Sequence, residues 1–405
     1  MKKLLVFLLM LTLLLGVVPM AQAEEEELFD GGRSITLNVY NWGQYIADGS
    51  DESMDIIAEF ESRYPNIHVN YSTFDSNEIM YTKLAAGGIT VDVIFPSDYM
   101  VARMVKENML MELDFENIPN YQYIDENFRN MAYDPENKYS VPYTWGTVGI
   151  IYNSKYVKEE DVQAGWELLW NEKYKDKILM FDNSRDAFGI ASYLLGYDVN
   201  TTDREELKAC AEKLQEQEPL VQQYVMDQIY DLMENEEAWI APYYAGDYMM
   251  MKEENDDLEF SLPENQGFNM FVDAMCIPKC AQEKEAAELF INFLCEPEIA
   301  AANMDWIGYG VPLSAAKEYM DPELIAHPVA YPSEELLSHG SAYSYLDPAV
   351  TRYVEGLFLE VRIKDGSGSS MQTVFGWAGI GVMAVLAVFA GIYGKRITNK
   401  KRKAS

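Results

Sequence analysis

Aromatic rings set beside hydroxyls and carboxylates recur along this 405-residue chain at short spacing. Trp42 and Tyr45 flank Gly43, Ser97 precedes Tyr99, Tyr143 precedes Trp145, Tyr243 and Tyr244 precede Asp247, and Phe271 precedes Asp273. Rings stack on methylene groups and attract cations through their quadrupoles, while carboxylates pair the charge. Such a set suits an alkyl chain bearing ammonium groups. Sugars also favour aromatic walls, so the carboxylates are what discriminates. Core packing is the competing reading for each ring taken singly. Asp273 stands inside an otherwise apolar stretch, where burial without a cationic partner is expensive; a structural lysine or arginine is the competing explanation there.

Signatures of catalysis are missing. The chain has no Gly-x-Ser-x-Gly, no phosphate loop and no HExxH, and His68, His327 and His339 are scattered. The glycine pairs 31–32 and 87–88 lack dinucleotide spacing. A binding protein without a cofactor is expected, not an enzyme. There are 66 acids against 31 Lys plus Arg. Eight of those bases fall in the two end segments, which hold no acid, so residues 24–373 carry 66 acids and 23 bases. That field repels nucleic acid and concentrates cations, although much of it also serves to keep an exported protein soluble. Cys210, Cys276, Cys280 and Cys295 allow three full disulfide pairings, and the sequence does not choose. No second ligand pair accompanies Cys276 and Cys280, so zinc is not expected.

The elements that must position these residues read as mixed α/β. Residues 35–39 alternate as a strand and break into Asn41-Trp42-Gly43-Gln44-Tyr45. A helix over 53–64, a strand over 67–71, a helix opened by Ser76 and closed by Gly87-Gly88, a short strand at 91–95 and a helix through 108 follow. This β-α-β-α-β-α order predicts a doubly wound sheet, in which ligands are met at the carboxyl ends of strands. Residues 139–153 read as an extended segment, 154–270 as further strands and helices, and 270–277 as a third strand-like segment, with two crossings near 144–151 and 272–278. Two lobes result: 34–143 with 274–312, and 144–273 with 313–364.

The ends read differently. Lys2-Lys3, an apolar core and Ala21-Gln22-Ala23 mark residues 1–23 as a signal peptide. Residues 365–373 read as a stalk. The uncharged residues 374–394 have the length of a transmembrane helix, and the basic tail 395–405 places that end in the cytoplasm. The expectation is an exported receptor, on the extracellular or periplasmic face and single-pass anchored by its C-terminal helix.

The segments YNWGQY, SNEIMYTKL, DVIFPSDYMVARM, YSVPYTWG, DNSRDAFGIASYLLGYDVNTTD and FVDAMCIPKCA, in this order, resemble the spermidine/putrescine-binding proteins of ABC importers. The likeness covers residues 35–320. It implies a two-lobed periplasmic-binding-protein fold of type II kind, closing on a polyamine at its two hinge crossings and delivering it to a permease with a cytoplasmic ATPase. By the family pattern Trp42 and Tyr45 stack on or bond the ligand, Ser97 and Tyr99 line the first lobe, and Asp273 after Phe271 grips an amine. Asp247 matches an acid of putrescine-type members, with Tyr243 or Tyr244 in place of a tryptophan, and Asp186 matches an acid of the second lobe. Asn183 replaces a family acid and Gly43-Gln44 replaces a Thr-Glu pair, which leaves the choice among putrescine, spermidine and longer amines open. Tyr343 aligns too loosely to assign. The rivals are a same-fold receptor for another organic cation or a sugar, and a membrane-tethered sensor ectodomain.

Overall fold

The computed structural model describes residues 28–363. The signal-peptide segment 1–23, the stalk 365–373 and the tail 395–405 lie outside them.

The opening alternation forms β1 (Ile35–Trp42), which pairs in parallel with β2 (Ile67–Phe74) and with β3 (Val93–Ile94). Between them stand helices Ile56–Arg63 and Asn77–Ala86, and Asp98–Lys106 follows β3. Ser76 caps the second of these by accepting from the Ile79 amide, as its sequence predicts. The first begins three residues later than expected, because Asp55 takes the cap position and accepts from the Ala58 amide.

Two long strands then join the halves of the sheet. They are β4 (Ser140–Asn153) and β9 (Phe268–Cys276), antiparallel to each other with a bulge between Pro142 and Thr144. The far end of β4 leaves β9 and pairs instead with β7 (Ile240–Tyr244) and β8 (Leu258–Ser261). Beyond β7 lie β5 (Ile178–Phe181) and β6 (Val221–Val225), again parallel. The order across the sheet is β2-β1-β3-β9-β4-β7-β5-β6. One half therefore hangs from the start of β4 and the other from its end.

Core packing follows the helix faces. Phe60 is fully buried against Phe290 and Phe293 of helix Lys284–Leu294, with ring centroids 4.9 and 5.3 Å away. In the other half helix Arg204–Gln217 buries Leu207, Cys210, Ala211 and Leu214 at helical spacing.

The expected C-terminal transmembrane helix is corrected. No helix among the described residues is long and apolar enough to cross a membrane, and residues 374–394 lie outside the described residues. The last described helix, Pro348–Ile363, has 16 residues and carries Arg352, Glu355, Glu360 and Arg362. At ~1.5 Å per residue it falls short of a ~30 Å hydrocarbon layer.

Candidate functional site

The carboxyl ends of β1, β3, β6 and β7 and the middle of β9 converge on one cavity between the halves. It holds about 600 Å³ of free space, part of it open to solvent. Trp42, Tyr45, Ser97, Tyr99, Asp186, Tyr243, Tyr244, Asp247 and Phe271 all line it. Asp273 is bonded one layer behind Tyr45 and does not reach the lining. Tyr143 and Trp145 are also outside it. Tyr143 donates to the Tyr45 carbonyl at 2.7 Å, and Trp145 forms an isolated bridge with Gly310.

On the first half, the Trp42 indole is fixed by donating to the Phe95 carbonyl at 2.8 Å and by packing on Phe74. Tyr45 is buried; its hydroxyl lies 2.6 Å from the Thr144 hydroxyl and donates to Asp273 at 2.7 Å. Asn77 holds the Ser97 and Tyr99 hydroxyls with one amide nitrogen, at 3.0 and 3.1 Å. Tyr99 in turn donates to Glu78.

The second half supplies two carboxylates on separate stations. Asp186 accepts from the Tyr244 hydroxyl at 2.8 Å and the Asn183 amide at 2.7 Å. Asn183 does this while its own carbonyl oxygen caps helix Ser184–Leu195. Asp247, in the first turn of helix Ala245–Glu254, accepts from Tyr230 at 2.7 Å and from Tyr309. Tyr309 gets there because Gly246 has no side chain; a methyl at 246 would overlap its ring. Phe271 lies between the stations, edge-on to Tyr244 at 5.5 Å and to Tyr309 at 6.0 Å.

Burial dominates the electrostatics. It pushes Asp247 and Asp273 up to about 6, against hydroxyl hydrogen bonds that pull them down. Asp186 rises to about 7 by the same cause, with the Tyr244 hydrogen bond opposing. Asp98, buried beneath the rim and bonded to the Tyr99 amide, rises to about 8. Among the described residues, no Lys, Arg or His lines the cavity. One oxygen of Asp273, Oδ1, is buried with no hydrogen-bond partner among the described residues, which is costly unless a donor arrives. The arrangement is an aromatic box with anionic stations set apart by a ring, and it can hold an extended cation.

Several lining residues escape the sequence reading. Tyr309 follows a left-handed Gly308 after a helix, a signal of a tight turn but not of a ligand. Asp98 stands between two assigned residues, and the alternation that selected them passes over it. Met226 and Asp227 follow β6, a strand whose polar residues hide it, so its carboxyl end carries no signal in the sequence. Asn77, Asn183, Asn269 and Tyr343 complete the wall.

Residues 55–332 match the family of bacterial extracellular solute-binding proteins. The chain is 32% identical over 321 residues to the spermidine/putrescine-binding periplasmic protein of Salmonella typhimurium, covering 79% of this chain and 90% of the relative. It is 30% identical over 363 residues to a putrescine-binding periplasmic protein of Pseudomonas aeruginosa, covering 85% and 94%. The solved spermidine/putrescine ABC transporter substrate-binding protein of Streptococcus pneumoniae superposes with a TM-score of 0.67 at 35% identity, covering 81% of this chain and 99% of that one. The named relatives from Salmonella and Pseudomonas are periplasmic proteins. With no spanning helix among the described residues, this corrects the expectation of a receptor single-pass anchored by its C-terminal helix.

Proposed function

We propose, from the premise that this chain belongs to the bacterial extracellular solute-binding proteins, that it binds a polyamine of the putrescine/spermidine class and delivers it to an ABC importer. The relatives from Salmonella, Pseudomonas and Streptococcus pneumoniae bear that name or title. The reading rests above all on one observation. The cavity combines aromatic walls with buried carboxylates, and among the described residues its lining contains no basic side chain; Arg185, stacked behind Tyr343, offsets burial at Asp186 and Asp98 only in part. Sugar hydroxyls can donate to carboxylates but bring no charge to offset theirs; an ammonium does both.

The ligand lies along Phe271, its methylenes against Phe271, Trp42 and Tyr99. One ammonium sits at Asp186 with Tyr244, the other at Asp247 with Tyr309. Asp273 acts with Tyr45. From behind the lining its charge polarises the Tyr45 hydroxyl, which faces the bound amine. Tyr243 stacks on Phe181 at 5.3 Å and keeps the floor in place. Ser97 offers its hydroxyl from the first half. The lobes are residues 34–143 with 274–312 and 144–273 with 313–364, and they close by a hinge motion at β4 and β9. Partners are the permease subunits and their cytoplasmic ATPase.

Calorimetric titration of the ligand-free protein with putrescine, spermidine and spermine, with glucose as control, tests this. Saturable binding of an amine and no response to glucose is expected. A folded, ligand-free protein that binds none of the amines would overturn it.

A further inference from the structure

We propose that Asp227, admitted to the cavity mouth by Gly43, is a specificity-determining carboxylate that holds an ammonium beyond the two taken by the deeper stations, so that this site selects triamines and longer polyamines over diamines. The inference rests on the polyamine reading above and adds to it a residue and a preference.

The deeper carboxylates are already engaged by the protein. Asp186 is shared with Tyr244 and Asn183, Asp247 with Tyr230 and Tyr309, and Asp273 with Tyr45. Phe271 separates the Asp186 station from the Asp247 station, which leaves room for two ammonium groups joined by methylenes. Asp227 differs from all of these. It lines the cavity, yet its side chain is exposed and takes no hydrogen bond or ion pair among the described residues. Its nearest charged influence is another acid, Asp75, reaching across from just beyond β2. On the inner side its charge is felt at Asp247. An ammonium placed there would answer both acids and continue the line that begins at Asp186.

Gly43 is what allows this approach. A methyl group built on Gly43 would overlap the Asp227 Oδ2. The glycine does not occupy the left-handed region, so its absence of side chain serves the close approach and not the backbone. The chain also carries Asn183 where its amide, not a charge, meets Asp186.

The test compares spermidine with putrescine by calorimetric titration of the whole protein, wild type against Asp227→Asn, Asp227→Glu and Gly43→Ala. For Asp227→Asn the spermidine Kd should rise about tenfold or more while the putrescine Kd moves by less than about threefold. Gly43→Ala should reproduce that selective loss by displacing the carboxylate, and Asp227→Glu should largely retain spermidine binding. Melting temperatures near wild type would show that the variants fold, as exposure at 227 and an unstrained backbone at 43 predict. Equal losses for the two amines, or no loss for either, would overturn the assignment of Asp227. Absence of any amine binding by the wild type would instead overturn the polyamine reading itself.

Discussion

At the scale of single residues, the site depends on charges that the protein solvates poorly. Asp273 is 4% exposed and incompletely satisfied: Tyr45 serves Oδ2, and Oδ1, with the Ser97 side chain nearby, is without a hydrogen bond among the described residues. Asp273→Asn keeps the shape and removes the charge that backs Tyr45, so affinity for the amine should fall by about 2–3 kcal/mol, the range for a hydrogen bond to a charged group. Tyr45→Phe removes one hydrogen bond and keeps the wall; its loss should be about 1–2 kcal/mol. Calorimetry on both variants checks the ranking, and a larger loss for Tyr45→Phe would contradict it. Much of this was readable in the sequence. Trp42, Ser97, Tyr99 and Asp273 stand where a strand pattern breaks or where an acid interrupts apolar residues. Tyr309 and Asp227 were not readable. Their placement depends on Gly246 and Gly43, glycines whose role is visible only once distant segments face each other.

At the scale of elements, a buried polar chain aims the loop after β1. Asn303, on helix Pro297–Ile307, accepts from the Ala47 amide at 2.9 Å and donates to the Tyr143 hydroxyl at 2.7 Å. Tyr143 passes the bond on to the Tyr45 carbonyl. A helix far along the chain thereby fixes the orientation of a wall residue. Asn303→Ala strands a buried amide and disturbs the Tyr143 hydroxyl, so unfolding free energy should drop by about 1–3 kcal/mol. Amine affinity should fall with it, although Asn303 does not line the cavity. Denaturant unfolding and titration of the same variant measure the two effects; intact affinity in a destabilised protein would show that the loop holds its own geometry. Local signals predicted the helix Asn77–Ala86 well, because its Ser76 cap and its closing glycines lie beside the segment. The strand order was out of reach, since β4 changes partners midway from β9 to β7 and β8. The polar strand β6 gave no alternation to find.

At the scale of the whole molecule, enclosing the cavity and ionising its acids oppose each other. Asp247 and Asp273 are raised to about 6, Asp186 to about 7 and Asp98 to about 8, in each case first by burial. An arrangement that hydrates these groups leaves them near the ordinary carboxylate value of about 4. The enclosed form therefore holds more protons than an open or unfolded one between pH 4 and those raised values, and linkage requires its stability to fall as pH rises through that window. A bound ammonium reverses the sign, because it favours the ionised carboxylates and expels their protons. Amine affinity should accordingly strengthen from pH 5 to pH 8, and binding near pH 6–7 should release protons. Titration in two buffers of different ionisation enthalpy measures that release directly. Small-angle scattering gives the matching structural readout: ligand should compact the molecule more at pH 8, where the ligand-free protein favours the open form, than at pH 5. Affinity that is flat or weaker toward pH 8 would mean that the acids are not compensated by the ligand, and that closure is governed by contacts other than charge.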